Sequence, residues 1–113
     1  MANNQMTVID VGRDFSPVPA GRSEADGDFS GEAFRSRLLE PPLRRGHDVE
    51  VVLDNTEGFG SSFLEEAFGG LVRICGFSRD HLHHHLRLIA TTPAAKRYSV
   101  KIFQYIDQAT PKH

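Results

Sequence analysis

Ser61 and Ser62 stand between the loop Gly58-Phe59-Gly60 and the acidic pair Glu65-Glu66, with Phe63-Leu64 and Ala67-Phe68 interleaved. Glycines before a hydroxyl pair and a periodic apolar stretch describe a loop running into a helix N-terminus. Free backbone N–H groups and the positive dipole end favour an anion there. Two kinds of chemistry fit. A serine in this position can accept a phosphoryl group, or the loop can hold a phosphate or carboxylate ligand. The plainer reading is structural: Ser62-Phe63-Leu64-Glu65 has the spacing of a capping box, with Ser62 as N-cap. Several enzyme motifs are absent. No Gly-Lys-Ser or Gly-Lys-Thr follows the loop, no Gly-x-Ser-x-Gly elbow occurs, and Gly58-x-Gly60 lacks the third glycine of a dinucleotide fingerprint.

Three further groups of residues invite a functional reading. Arg22, within Pro19-Ala20-Gly21-Arg22-Ser23, could grip an oxyanion, although a salt bridge to Asp26 or Glu24 is the simpler expectation. With Gly58, Phe59, Gly60, Glu65 and Glu66 it makes a candidate partner or anion-binding surface. His81, His83 and His85 alternate in a histidine-rich tract and are weak candidates for metal ligation, with no completing Cys or Glu nearby. The expectation is therefore no metal and no cofactor. Carboxylates elsewhere form no acid–base pair, so no catalytic residue is assigned. Cys75 falls on an apolar stripe and reads as a core residue rather than a nucleophile.

The elements that must carry these residues follow from periodicity. Thr7–Val11 reads as a first strand, and 15–27, rich in proline and glycine, as irregular chain with at most a brief strand. Ser30 caps a helix whose apolar face is Phe34, Leu38 and Leu39, and Pro41-Pro42 should end it. Val49–Leu53 is the clearest strand, apolar enough to be central and covered on both faces. Phe63, Leu64, Ala67, Phe68, Leu71, Val72 and Cys75 form the stripe of a second helix that stops at Gly76. Gly69 and Gly70 inside it imply a close neighbour. Leu86–Thr91 reads as a strand, starting as early as His83. Thr92 and Pro93 then open a last helix through Ile106. The alternation predicts an α/β fold with a mixed, partly parallel sheet and three to four helices.

The 113 residues suit one domain, 1–113, with flexible ends at 1–6 and 109–113. A formal net charge of −2 with scattered basic residues argues against nucleic-acid binding. No apolar run is long enough to span a bilayer, and Met1 to Met6 holds no signal-peptide core. A single cysteine precludes an intrachain disulfide, so a cytoplasmic location and no membrane association are expected.

Asp14-Phe15-Ser16, Pro19-Ala20-Gly21-Arg22, Asp26-Gly27, Ser30 to Arg35, and above all Ser61-Ser62-Phe63-Leu64-Glu65-Glu66-Ala67-Phe68-Gly69-Gly70-Leu71 resemble a bacterial family of STAS-like domains of unknown function, over about residues 8–106. That family is distantly similar to the anti-sigma factor antagonists. Those carry a serine at the start of the helix after a central strand, and a histidine-kinase-like ATPase phosphorylates it to switch binding off. The resemblance implies a non-enzymatic regulatory domain that works through a protein partner, such an ATPase or a regulator it controls. Ser62, with Ser61 beside it, takes the phosphoacceptor position. The antagonists typically carry Asp-Ser-Ser-Gly, whereas here Gly60 precedes the pair and Phe63 follows it. The alternative is a small-ligand, nucleotide or anion-binding module using residues 58–62 and Arg22.

Overall fold

The computed structural model describes residues 5–111. Three strands, β1 (Met6–Asp10), β2 (Asp48–Val52) and β3 (Leu86–Ile89), form one sheet in the order β1-β2-β3. Both pairings are parallel, with Ile9 opposite Val51 and Val51 opposite Leu88. The α/β expectation holds, and the sheet is parallel throughout. No strand forms between residues 15 and 27. A 3₁₀ turn, Glu24–Asp26, stands there instead.

Four longer helices accompany the sheet. α1 spans 31–44 and is built from Gly31–Phe34, a wide π turn Arg35–Leu39 and Glu40–Arg44. Ser30 caps it as expected, its hydroxyl accepting from Ala33 N at 3.2 Å. The prolines do not end it. Glu40 keeps helical dihedrals, φ −63° and ψ −45°. The i→i+5 turn ahead of Pro41 and Pro42 restarts the helix, and they occupy its first positions, where a missing N–H costs nothing.

α2 spans 61–73 and repeats the pattern: Ser61–Leu64, a π turn Glu65–Gly69, then Gly70–Arg73. Its apolar stripe is the one read from the sequence, with Phe63, Leu64, Ala67, Phe68, Leu71 and Val72 all buried. α3 is Arg79–His85 and α4 is Pro93–Gln108. The histidine tract is thus a short helix rather than the start of a strand. Ser78 accepts from His81 N at 3.0 Å, and Leu82 is fully buried. Thr92 caps α4 by accepting from Ala95 N at 3.0 Å.

The glycines of α2 mark close approach, in part to side chains. A Cβ on Gly70 would lie 2.3 Å from Arg35 Nη1, and one on Gly69 would lie 2.7 Å from Glu65 Oε2. Between α1 and α2 the backbones approach at Gly31, where a Cβ would lie 2.4 Å from the Phe63 carbonyl oxygen. α1 therefore enters directly against α2, and α4 packs chiefly on the middle of α2.

β2 is central but not covered on both faces. Val49 and Val51 are buried, while Glu50 and Val52 on the other side are only partly so. Of the ends expected to be flexible, residues 1–4, 112 and 113 lie outside the described residues. Met6 is already in β1, and Ala109 is 7% exposed, its carbonyl accepting from Arg79 Nη2 at 3.1 Å.

Candidate functional site

The segment after β2 begins with Asp54, whose carboxylate accepts from the Thr91 and Thr92 backbone N–H groups at 2.7 and 3.2 Å. These bonds tie the loop to the end of β3, and the Thr91 N–H first among them holds the Asp54 carboxyl below its ordinary value. Glu57 N donates to Pro17 O at 2.8 Å. Gly58 has φ 154°, and a Cβ there would stand 3.1 Å from the Tyr98 hydroxyl. Phe59 stacks on Phe63, centroids 5.8 Å apart, and meets Tyr98 edge-on at 5.1 Å. The loop is therefore pinned at both ends and braced against α4.

The helix start differs from a capping box. Gly60 is the N-cap, with φ −76° and ψ 151°, and no side chain caps α2. Ser61 and Ser62 are the first two helical residues, and both are exposed. Glu65 does not reach back to them. Its carboxylate is taken by Arg22 and Arg73.

That engagement belongs to a five-residue network. Arg22 Nη1 donates to Glu65 Oε1 at 2.5 Å and to Glu66 Oε1 at 3.1 Å. Arg73 donates to both Glu65 oxygens, at 2.5 and 3.2 Å, and to Glu66 Oε1 at 3.3 Å. Arg35 is only 5% exposed and donates from Nη1 to Glu66 Oε2 and to the Glu66 carbonyl, each at 2.6 Å. The residues come from the two facing π turns, 35–39 and 65–69, plus Arg22 from the preceding loop and Arg73 from the end of α2. Mid-helix π turns are frequent at functional sites.

Three guanidinium groups on two carboxylates leave one formal positive charge. Burial pushes Glu65 and Glu66 up, but the arginine hydrogen bonds outweigh it, and both carboxyls are held below the usual range. The hydrogen bond to Glu65 raises Arg22 in turn.

Arg22 thus does not pair with Asp26 or Glu24. Asp26 instead accepts the Ser23 and Arg22 backbone N–H groups at 3.0 and 3.1 Å, and Glu32 N donates to Arg22 O at 3.0 Å. The loop is anchored to the start of α1, and the Arg22 side chain crosses to α2. An anion at Arg22 must compete with two carboxylates already in place.

A family profile described as a STAS-like domain of unknown function matches residues 30–94, more than half of the chain. The chain belongs to that family. The matched stretch of the STAS-like domain runs from the cap of α1 through β2, the 58–60 loop, α2 and β3 to the first turn of α4. It contains Ser61, Ser62, Glu65, Glu66, Arg35 and Arg73, and it leaves out Arg22 and β1. No curated protein and no solved structure matches the chain significantly.

Of the candidate histidines of the STAS-like domain, His81 and His85 meet, ring centroids 4.4 Å apart, while His83 is engaged elsewhere. His83 Nε2 lies 2.7 Å from Asp107 Oδ1, and its ring stacks on Phe103. His85 Nδ1 lies 2.8 Å from Asp48 Oδ1, and His81 packs between Phe77 and His85. Burial first, then His85 and His84, lower the pKa of His81. Among the described residues no group of three or more His, Cys, Asp or Glu side chains is placed to hold a metal ion. Cys75 packs against the core, and burial pushes its thiol up to about 11. No helix among the described residues is long and apolar enough to cross a membrane.

Arg35 and Arg73 escaped the sequence reading. Arg73 follows the stripe of α2, at i+8 from Glu65, too far to read as a helical pair. Arg35 lies in α1, and its partner depends on how two helices face. The one available signal was Gly70 in an otherwise strong helix, which marked a space that Arg35 fills.

Proposed function

We propose that this STAS-like domain is a non-enzymatic cytoplasmic regulator that works by binding a protein partner through the 58–66 segment. In this reading, phosphorylation of Ser62, with Ser61 as the alternate acceptor, switches binding off. The observation that carries the proposal is the vacant capping role. Gly60 caps α2, and both serine hydroxyls are presented at an exposed helix start. A serine with no cap to form is available to a kinase without loss of fold.

The surrounding charges fit such a switch. A phosphoserine adds about −1.5 to −2 charges, which a helix N-terminus favours by about 0.3–1 kcal/mol. Glu65 and Glu66 would oppose it one turn away, but both are neutralised by Arg22, Arg35 and Arg73. The α2 core stays packed, so phosphate acts on the partner surface rather than on the fold. The partner class is a histidine-kinase-like ATPase or a regulator that such an ATPase controls.

The test is affinity for that ATPase, measured by calorimetry with Ser62→Ala and Ser62→Asp. The expectation is unchanged binding by Ser62→Ala and at least a tenfold loss with Ser62→Asp. Equal affinity of Ser62→Asp and wild type contradicts the switch.

A further inference from the structure

The strand order β1-β2-β3 with parallel pairing means that both crossovers step the same way across the sheet. Right-handed crossovers that step in one direction place their helices on one face. The buried residues agree, since Ile9, Val49, Val51 and Leu86 point to that side. The opposite face carries Met6 and Val8 of β1, Glu50 and Val52 of β2, and Arg87 and Ile89 of β3. Met6 is 49% and Val8 57% exposed. Glu50 and Arg87 are neighbours across the strands, 3.5 Å apart. Purely parallel sheets are almost always covered on both faces. Among the described residues no helix covers this face, which is half apolar once Asp10 and Asp48 are counted with it.

The chain also holds a surface complementary to it. α4 turns Ile102 and Ile106 into the core and presents Val100 outward, 59% exposed. Val100 lies with Arg97, Tyr98, Lys101 and Gln104 in a groove of about 440 Å³. Lys96 is exposed beside them. This helix face sets Lys96, Arg97 and Lys101 against Asp107, which pairs with His83, around an apolar centre. The sheet face sets Asp10, Asp48 and Glu50, the last two paired with His85 and Arg87, around Val8, Val52 and Ile89.

We infer that the bare sheet face of one copy receives the outer face of α4 from a second copy, head to tail. The layers then alternate sheet, helix, sheet, helix, and each parallel sheet gains the cover it lacks. The dimensions match. Two strands of five residues and one of four present about 14 by 17 Å, and one helix is about 10–12 Å across. That footprint, about 240 Å², is well below the ~800 Å² per partner of a stable complex, so the association is weak and concentration-dependent. Because the contact is heterologous, a chain of subunits keeps an unused sheet face at one end and an unused α4 at the other.

Sedimentation equilibrium over about 10 µM to 1 mM tests this, the range in which an undersized interface is populated. Wild-type average mass should rise with concentration, and less steeply at high salt. Val8→Glu on the sheet and Val100→Glu on α4 should each sediment as monomers. Mixed in equal amounts, they should associate again as one-to-one dimers, since the first retains a sound α4 and the second a sound sheet face. Met6→Glu replaces Val8→Glu should circular dichroism show that variant to be misfolded. Wild type that stays monomeric to the top of the range overturns the inference. So does a mixture that remains monomeric, and so does either single variant that still associates on its own, the mark of a symmetric interface between like faces.

Discussion

Replacing Glu66 by glutamine isolates the charge that joins the two π turns. The side chain of Arg35 is 6% exposed and that of Glu66 11%. Glutamine keeps the volume and an acceptor oxygen but leaves the Arg35 guanidinium buried beside a neutral group. Removing one member of a buried pair costs about 3–5 kcal/mol, and the retained amide oxygen places this change near 3. For 113 residues, an unfolding entropy of about 2.1 cal/mol/K per residue converts 3 kcal/mol into a Tm lowered by roughly 13 °C.

The assay is urea unfolding at pH 7 followed by far-UV circular dichroism, with the same measurement down to pH 3. Glu65 and Glu66 have folded-state values below the ordinary carboxylate pKa of about 4.3. Their contribution is present above that value and is lost as pH falls through the lowered one. Wild type should therefore lose stability steeply below about pH 4.3, and Glu66→Gln less steeply. The double variant Arg35→Met/Glu66→Leu, which removes both buried charges, should regain most of the loss. A Glu66→Gln protein within about 1 kcal/mol of wild type, with an unchanged acid limb, refutes the view that this pair holds the helices together.

Other consequences are simpler to measure. Gly31→Ala should destabilise by about 1–3 kcal/mol in denaturant, because its Cβ would meet the Phe63 carbonyl oxygen, whereas Gly60→Ala should stay within about 0.5 because nothing stands near its Cβ. His81 is held in its neutral form, so the unfolded chain takes up its proton first. Stability should decline as pH falls below about 6.5, and His81→Phe should remove that part of the decline in a thermal-shift pH series. Cys75, with its thiol raised to about 11, should react slowly with a disulfide reagent at pH 8, and its rate should keep rising past pH 9.

Much of the architecture was legible because it rests on local rules. The apolar rhythm from Phe63 to Val72, the Ser30 and Thr92 caps, and the β-branched run in β2 all express periodicity or capping that a short window contains. The failures came from interactions between segments. Pro41-Pro42 should stop a helix, but a π turn ahead of them resets the register. Ser62 and Glu65 have the spacing of a capping box, but arginines from residues 22 and 73 claim Glu65. β2 is apolar enough for cover on both faces, yet the direction of two crossovers leaves one open. Part of the candidate segment is local enough to be read from the sequence. Residues 58–66 and Arg22 were named, and Arg22 does reach Glu65 and Glu66. The network that holds them needed Arg35, whose role depends on how α1 meets α2.

The central claim is that the exposed start of α2 is a phosphorylation switch. Its most direct test is tandem mass spectrometry of the purified protein after incubation with ATP and a histidine-kinase-like ATPase encoded in the same genome. Phosphate is expected on Ser62, or on Ser61 when Ser62 is replaced by alanine, and none in the double alanine variant. Stoichiometric phosphate on any other residue, or none at all with an ATPase that demonstrably binds the protein, would contradict it.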